Sequence, residues 1–327
     1  MLAALVSAAL LAVPAAAAPT PTVVEALAPV VYLHPEERLF PVAPDAFVTL
    51  SDLKWNHDGG CPDRTLAGVA KIVPASLGRR DGRYTGRKAG PTYRRCARTG
   101  PSYAPPDFTR PLDDRNVTGD EGFFLRYTGP AAGSTAGPWP VHYEHVPGRY
   151  VAYWFFYAES RPVKVGEGVI ERVVASRWLD TLGTHQGDWE HVTIRLDGEQ
   201  PVEVAFYSHG SPRILPWSAV EKEGGRLVVY AAKGSHASYG SPSTERGERR
   251  CFRNLGCIVD PTARGRRWET SRLLADARTR PWFGFGGGWG ALGQWYRAEG
   301  IVGRRRETAG PLGPSQWKTE VAPAAWR

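Results

Sequence analysis

The stretch THQGDWEHVTIRL, residues 184–196, places one imidazole and two carboxylates within six positions: His185, Asp188 and Glu190. A donor set of this kind suits a hard divalent cation. With a single nitrogen it fits Mg2+, Ca2+ or Mn2+ better than a dedicated zinc site. Glu159, near the end of the run YWFFYAES, is a fourth candidate ligand. His209 in FYSHG and His236 in KGSHASY each close a strand-like run beside small residues, and both are candidate general bases. Ser208 and Ser235 precede these histidines, yet the chain lacks a GxSxG elbow and adjacency in sequence is not a triad. His34, His142, His145 and His191 read as structural.

Strands must position these groups. Side chains alternate faces along an extended segment, so Asp188, Glu190, Val192, Ile194 and Leu196 share one face and Trp189, His191, Thr193 and Arg195 the other. The apolar triplet marks the first as the core face. Both carboxylates therefore open an inward-facing row, where an unpaired charge is costly. RYVAYWFFYAES (149–160), VEVAFYSHG (202–210) and RLVVYAAKGSHASY (226–239) read as further strands, with a hairpin turn at Asp197-Gly198. Near the start, LAPVVYLHPEERLFPVAPDAFV (27–48) reads as strand, turn and second strand, and SRLLADARTR (271–280) as a short helix. Short turns between strands, with no helical run between them, predict a mainly β fold: an antiparallel β-sandwich with long loops and few short helices.

The bulk composition agrees. Thirty-seven glycines, 28 prolines and 36 aromatics accompany a single methionine among 327 residues. Residues 1–18 are apolar, end in small residues and read as a secretory signal, followed by a linker over 19–26. One sandwich domain is expected over 27–327. It contains a loop-rich, disulfide-tied excursion at 56–120 and a Gly/Trp-rich segment at 282–318, where a tight corner is preferred to a mobile flap. Four cysteines in an exported chain read as disulfides; of three pairings, Cys61–Cys96 and Cys251–Cys257 give two local loops. The formal charge of +8 favours anionic partners, but the arginines are scattered and form no nucleic-acid motif.

GTHQGDWEHVTIRL, YSHGSPR and VVYAAKGSHASY resemble, in order and spacing, the vacuolar protein sorting-associated protein 62 family, as do APVVYLHPEERLFP and FGGGWG…GPLGPSQWK. That family's name implies no reaction. A more distant resemblance is to the necrosis- and ethylene-inducing-peptide-like proteins, secreted β-sandwich cytolysins with a Gly-His-Arg-His-Asp-Trp-Glu heptapeptide. It implies cation ligation by His185, Asp188 and Glu190, with Glu159 standing in for an acidic residue of an earlier strand. Gln186 and Gly187 depart from the heptapeptide. The expected function is a secreted protein that uses a divalent cation to hold a membrane lipid headgroup or cell-surface glycan. The competing readings are a metal-dependent hydrolase using His209 or His236, and a structural exoprotein.

Overall fold

An aromatic and β-branched run without a polar break fits a strand buried on both faces. RYVAYWFFYAES forms such a strand, β6 (Gly148–Ser160), with its central residues buried. The computed structural model describes residues 22–56, 64–72, 74–77, 122–165, 183–208, 211–243, 249–252, 256–290, 295–298, 301–304, 310–317, 321–323 and 326. Strand β6 lies inside a six-stranded sheet. On one side are β8 (His185–Gly198), β9 (Gln200–Ser208) and β10 (Ser211–Pro216), on the other β5 (Val141–Val146) and β17 (Leu274–Asp276). Strands β6 and β8 pair antiparallel, with Tyr157 opposite Asp188 and Phe155 opposite Glu190.

A second sheet packs on one face of the first. It orders β11 (Lys222–Glu223), β12 (Arg226–Ala231), β1 (Val30–Leu33) and β16 (Arg267–Glu269), with β13 (Ser238–Tyr239) also paired to β12. Val31, Leu33, Val229 and Trp268 meet Tyr153, Phe155, Val192 and Ile194 in the first core. The opposite face of the six-stranded sheet carries Trp154, Phe156 and Trp189. These pack on Leu53 of β2 (Ser51–Asn56), on Phe123 and Leu125 of β4 (Gly122–Tyr127), and on Phe47 of helix α2 (Pro44–Thr49). Trp282, Phe285 and Trp289 complete this second core. Strand β3 (Arg64–Ala67) flanks β2.

Two smaller sheets remain: β14 (Arg249–Phe252) with β15 (Gly256–Val259) and β7 (Val163–Val165), and the hairpin of β18 (Trp295–Ala298) and β19 (Ile301–Arg304). The architecture is mainly β with sandwich-like packing, as expected. Two pairings, β1 with β12 and β17 with β5, are parallel.

Several local expectations are corrected. Both faces of β8 are core, because β2, β4 and the C-terminal segment cover the Trp189 side that alternation had assigned to the outside. SRLLADARTR is not a helix: Leu274–Asp276 pairs beside Val141–Tyr143, and that ladder leaves only one 3-10 turn on each side. The strand expected at FPVAPDAFV shrinks to one bridge, Pro41 to Tyr157, before Pro44 opens α2 at a position where its missing N–H costs nothing. The end of the linker forms helix α1 (Val23–Leu27), closed at its start by a Thr22–Glu25 capping box. The Cys251–Cys257 disulfide joins directly opposed residues of β14 and β15, whereas Cys61 and Cys96 lie outside the described residues, as do residues 1–18.

Candidate functional site

The charged motif joins three layers. Strand β8 carries Asp188 inward, and the loop after β12 brings His236 to it, with His236 Nδ1 2.7 Å from Asp188 Oδ2. The loop is tight: His236 N–H donates to the Ala232 carbonyl, and His236 adopts φ 57°, a left-handed conformation that a non-glycine residue enters only under local constraint. Tyr157 of β6 stacks flat on the imidazole, the ring centroids 3.7 Å apart. Glu37, from the turn after β1, places Oε2 3.9 Å from His236 Nε2. The same carboxylate accepts the backbone N–H groups of Arg38, Leu39 and Gly234 at 2.7–2.8 Å. On the far side, Asp260 accepts from the Ser235 hydroxyl at 2.5 Å and from the Tyr239 hydroxyl at 2.7 Å.

Electrostatics follow from burial. Burial opposes charge on His236, but the Asp188 hydrogen bond and the Glu37 and Asp188 charges outweigh it and raise its pKa. Glu190 is held well above the usual carboxylate range, first by desolvation and then by the charges of Asp188 and Asp260. The Tyr157 hydroxyl is pushed up by its burial and by Glu37, Asp188 and Glu190. Three buried polar atoms here, Tyr157 Oη, His236 Nε2 and Ser238 Oγ, have no hydrogen-bond partner among the described residues.

The expected cation ligands are engaged elsewhere. Asp188 holds His236, Glu159 makes a two-pronged pair with Arg161, and His185 Nδ1 meets its neighbour's Gly187 carbonyl at 2.8 Å. Among the described residues no group of three or more His, Cys, Asp or Glu side chains is arranged to hold a metal ion. His209 lies outside the described residues. Of the candidate site residues, His236 and Asp188 are brought into direct contact.

Gln186 and Gly187 have structural tasks. Gln186 bonds both the N–H and the carbonyl of Tyr127, so it docks β4 onto the edge of β8. Gly187, at φ 62°, lies so near the Trp289 carbonyl that a Cβ would come within 1.7 Å of that oxygen. Trp189 fills the second core.

Sequence reasoning missed Glu37 and Asp260. Each sits beside a proline-bearing turn, in HPEER and VDPT, and turns account for acidic residues without invoking a site. Beside Glu37 a cleft of about 690 Å3 opens to solvent, lined by Pro35, Glu36, Arg38, Leu39, Arg161 and Lys233 among others.

Residues 149–255, which span β6, β8 and the His236 loop, match the family model described as vacuolar protein sorting-associated protein 62. Over these residues the chain is similar to that family. It is also 26% identical over 202 residues to a protein of Saccharomyces cerevisiae described as "Putative vacuolar protein sorting-associated protein TDA6". The alignment covers 50% of this chain and 40% of that protein, so the chain spans well under two thirds of its relative's length. No solved structure matches the chain. The family match includes Asp188, Glu190 and His236 but not Glu37 or Asp260, which lie outside residues 149–255.

Proposed function

We propose that this chain is an exported binding module that takes an anionic or sugar headgroup of a membrane or cell surface into the cleft beside Glu37. The observation that carries this reading is the cleft itself, open to solvent and rimmed by Arg38, Arg161 and Lys233. The apolar leader and the Cys251–Cys257 disulfide support export into an oxidising compartment. Binding is favoured over turnover because His236 is enclosed on every side and its ring is fixed by Asp188 and Tyr157.

The test is retention of the purified chain on anionic vesicles and on a glycan array. Retention lost in Arg38→Ala/Lys233→Ala supports the proposal; equal retention of that variant sinks it.

A hydrolase is the second reading, favoured by the unpartnered His236 Nε2 beside Glu37. It predicts turnover on phosphoester, ester or glycoside panels that disappears in His236→Gln. The cation branch is decided by melting in Ca2+ or Mg2+ and then in EDTA. A Ca2+-raised Tm that falls in EDTA and is absent in Glu190→Gln supports it; identical melting curves refute it.

A further inference from the structure

The three cations at the cleft mouth come from three distant parts of the chain, and one hydrogen-bonded frame holds their backbones together. Arg38 follows β1, Arg161 lies between β6 and β7, and Lys233 follows β12. Glu37 accepts the N–H of Arg38 through one oxygen and the N–H of Gly234, next to Lys233, through the other. The Arg161 N–H donates to the Gly234 carbonyl at 2.6 Å. Gly234 has φ 72°, and a Cβ there would meet the Arg161 carbonyl at 2.1 Å, so only glycine lets the two segments approach this closely. With its oxygens occupied by three backbone donors, Glu37 acts as the hub of this frame.

The cations themselves are loosely held. Arg161 pairs with Glu159 and is 57% exposed; Lys233 pairs with Glu36, which is 70% exposed. Arg38 is exposed and has no ion-pair partner among the described residues. The pair with exposed Glu36 contributes little, so an incoming anion displaces Glu36 at small cost. Arg161 keeps its two-pronged pair with Glu159, 15% exposed, and offers its remaining Nη1. Among the described residues no aromatic side chain lines the cleft to give a sugar ring a stacking platform; its apolar lining is Pro35, Leu39 and Val163. The guanidinium fork of Arg38, the remaining Nη1 of Arg161 and the Lys233 ammonium on a fixed frame match the oxygens of a tetrahedral dianion.

We infer that the cleft is a phosphoryl-binding site in which Arg38, Arg161 and Lys233 hold a phosphate monoester while Glu37 positions them. The inference rests on the binding reading above and narrows its ligand to phosphoryl groups rather than sugars.

The experiment uses the full chain. Inorganic phosphate is titrated calorimetrically against chloride of equal ionic strength, and retention is measured on phosphatidylcholine vesicles with and without phosphatidic acid. Arg38→Ala/Lys233→Ala and Arg161→Ala are each expected to weaken phosphate binding roughly tenfold or more. The Arg38/Lys233 variant is expected to keep the wild-type melting curve, because Arg38 is exposed and Lys233 pairs only with exposed Glu36. Glu37→Gln is expected to weaken phosphate binding although the substitution removes a negative charge, an outcome that simple electrostatics would reverse.

Phosphate binding with retention on phosphatidic acid identifies a lipid headgroup; phosphate binding without retention identifies a soluble phosphate ester. Phosphate affinity equal in wild type and the Arg38/Lys233 variant overturns the inference. If a glycan is instead retained and lost in that variant, the phosphoryl inference fails and the binding reading stands. If no probe distinguishes the two proteins, both fail.

Discussion

At the residue scale, the carboxylates of the motif divide their work. Asp188 is a structural anion whose partner His236 is buried with it, and removing one member of such a pair strands the other. Asp188→Ala is expected to cost about 3–5 kcal/mol in urea denaturation. In a double-mutant cycle with His236→Ala the loss in the double mutant is expected to fall short of the sum of the two single losses, and strict additivity would argue against the pairing. Glu190 behaves differently. Burial and two neighbouring carboxylates raise its pKa, and Glu190→Gln exchanges the carboxyl for a neutral group of similar shape. Its effect on stability at pH 7 without added metal is expected to stay within about 0.5 kcal/mol. A large loss would show that the Glu190 carboxyl makes an interaction that the amide cannot replace. The carboxylates were legible in THQGDWE as an inward-facing acidic row. Their partners were not, because His236 stands 48 residues from Asp188 and Asp260 follows a different sheet.

At the element scale, the motif is where β8 accepts a neighbour on each face. Gln186 takes the β4 backbone, Gly187 admits the Trp289 carbonyl, and Gly290 in turn lies so close to Gln186 that a Cβ there would meet the Gln186 carbonyl at 2.1 Å. Gly187→Ala is therefore expected to displace the Trp289 segment. The left-handed φ alone costs on the order of 1 kcal/mol for alanine, and the backbone clash adds to it. The readouts are a lowered Tm and faster proteolysis of the C-terminal segment; wild-type values for both would refute the close approach. Trp289→Ala is expected to cost about 3–5 kcal/mol, because its indole is fully buried against Phe156, Trp189 and Trp282. The tight corner expected of FGGGWG agrees with this packing, and the positive φ at Gly187 and Gly290 shows why glycine is needed on both sides of the contact.

At the scale of the whole molecule, a sheet buried on both faces carries ionisable groups into the interior, and two of them bend stability in opposite directions. His142 is 3% exposed, and burial, aided by the Arg280 charge, lowers its pKa from 6.5 to about 4. The unfolded chain binds this proton more readily, so the contribution of His142 falls as pH drops from 6.5 towards 4. Glu144 is raised by burial from 4.5 to about 7, against the opposing hydrogen bond from Trp154, so the folded chain keeps a proton that the unfolded chain loses. Its contribution falls as pH rises from 4.5 towards 7. Each limb is worth on the order of 3 kcal/mol. In chemical denaturation across this range, His142→Gln is expected to flatten the acid limb relative to wild type and Glu144→Gln the alkaline limb. Parallel profiles for all three proteins would refute both assignments.

The sequence by itself determined the strands around the motif, the hairpin at Asp197-Gly198, the Cys251–Cys257 pairing and the mainly β class. Each of these is written in short-range periodicity or in residues a few positions apart. Tertiary structure decided that β8 has no outer face and that Asp188 pairs with His236. It also decided that Glu37 is the hub linking Arg38, Arg161 and Lys233. The reason is physical: alternation states which side chains share a face, but what covers that face comes from β4 and the Trp289 segment, far away in the chain. An acidic strand opening is thereby explained as a junction of three layers, and the solvent-facing chemistry moves next door, to the cleft beside Glu37.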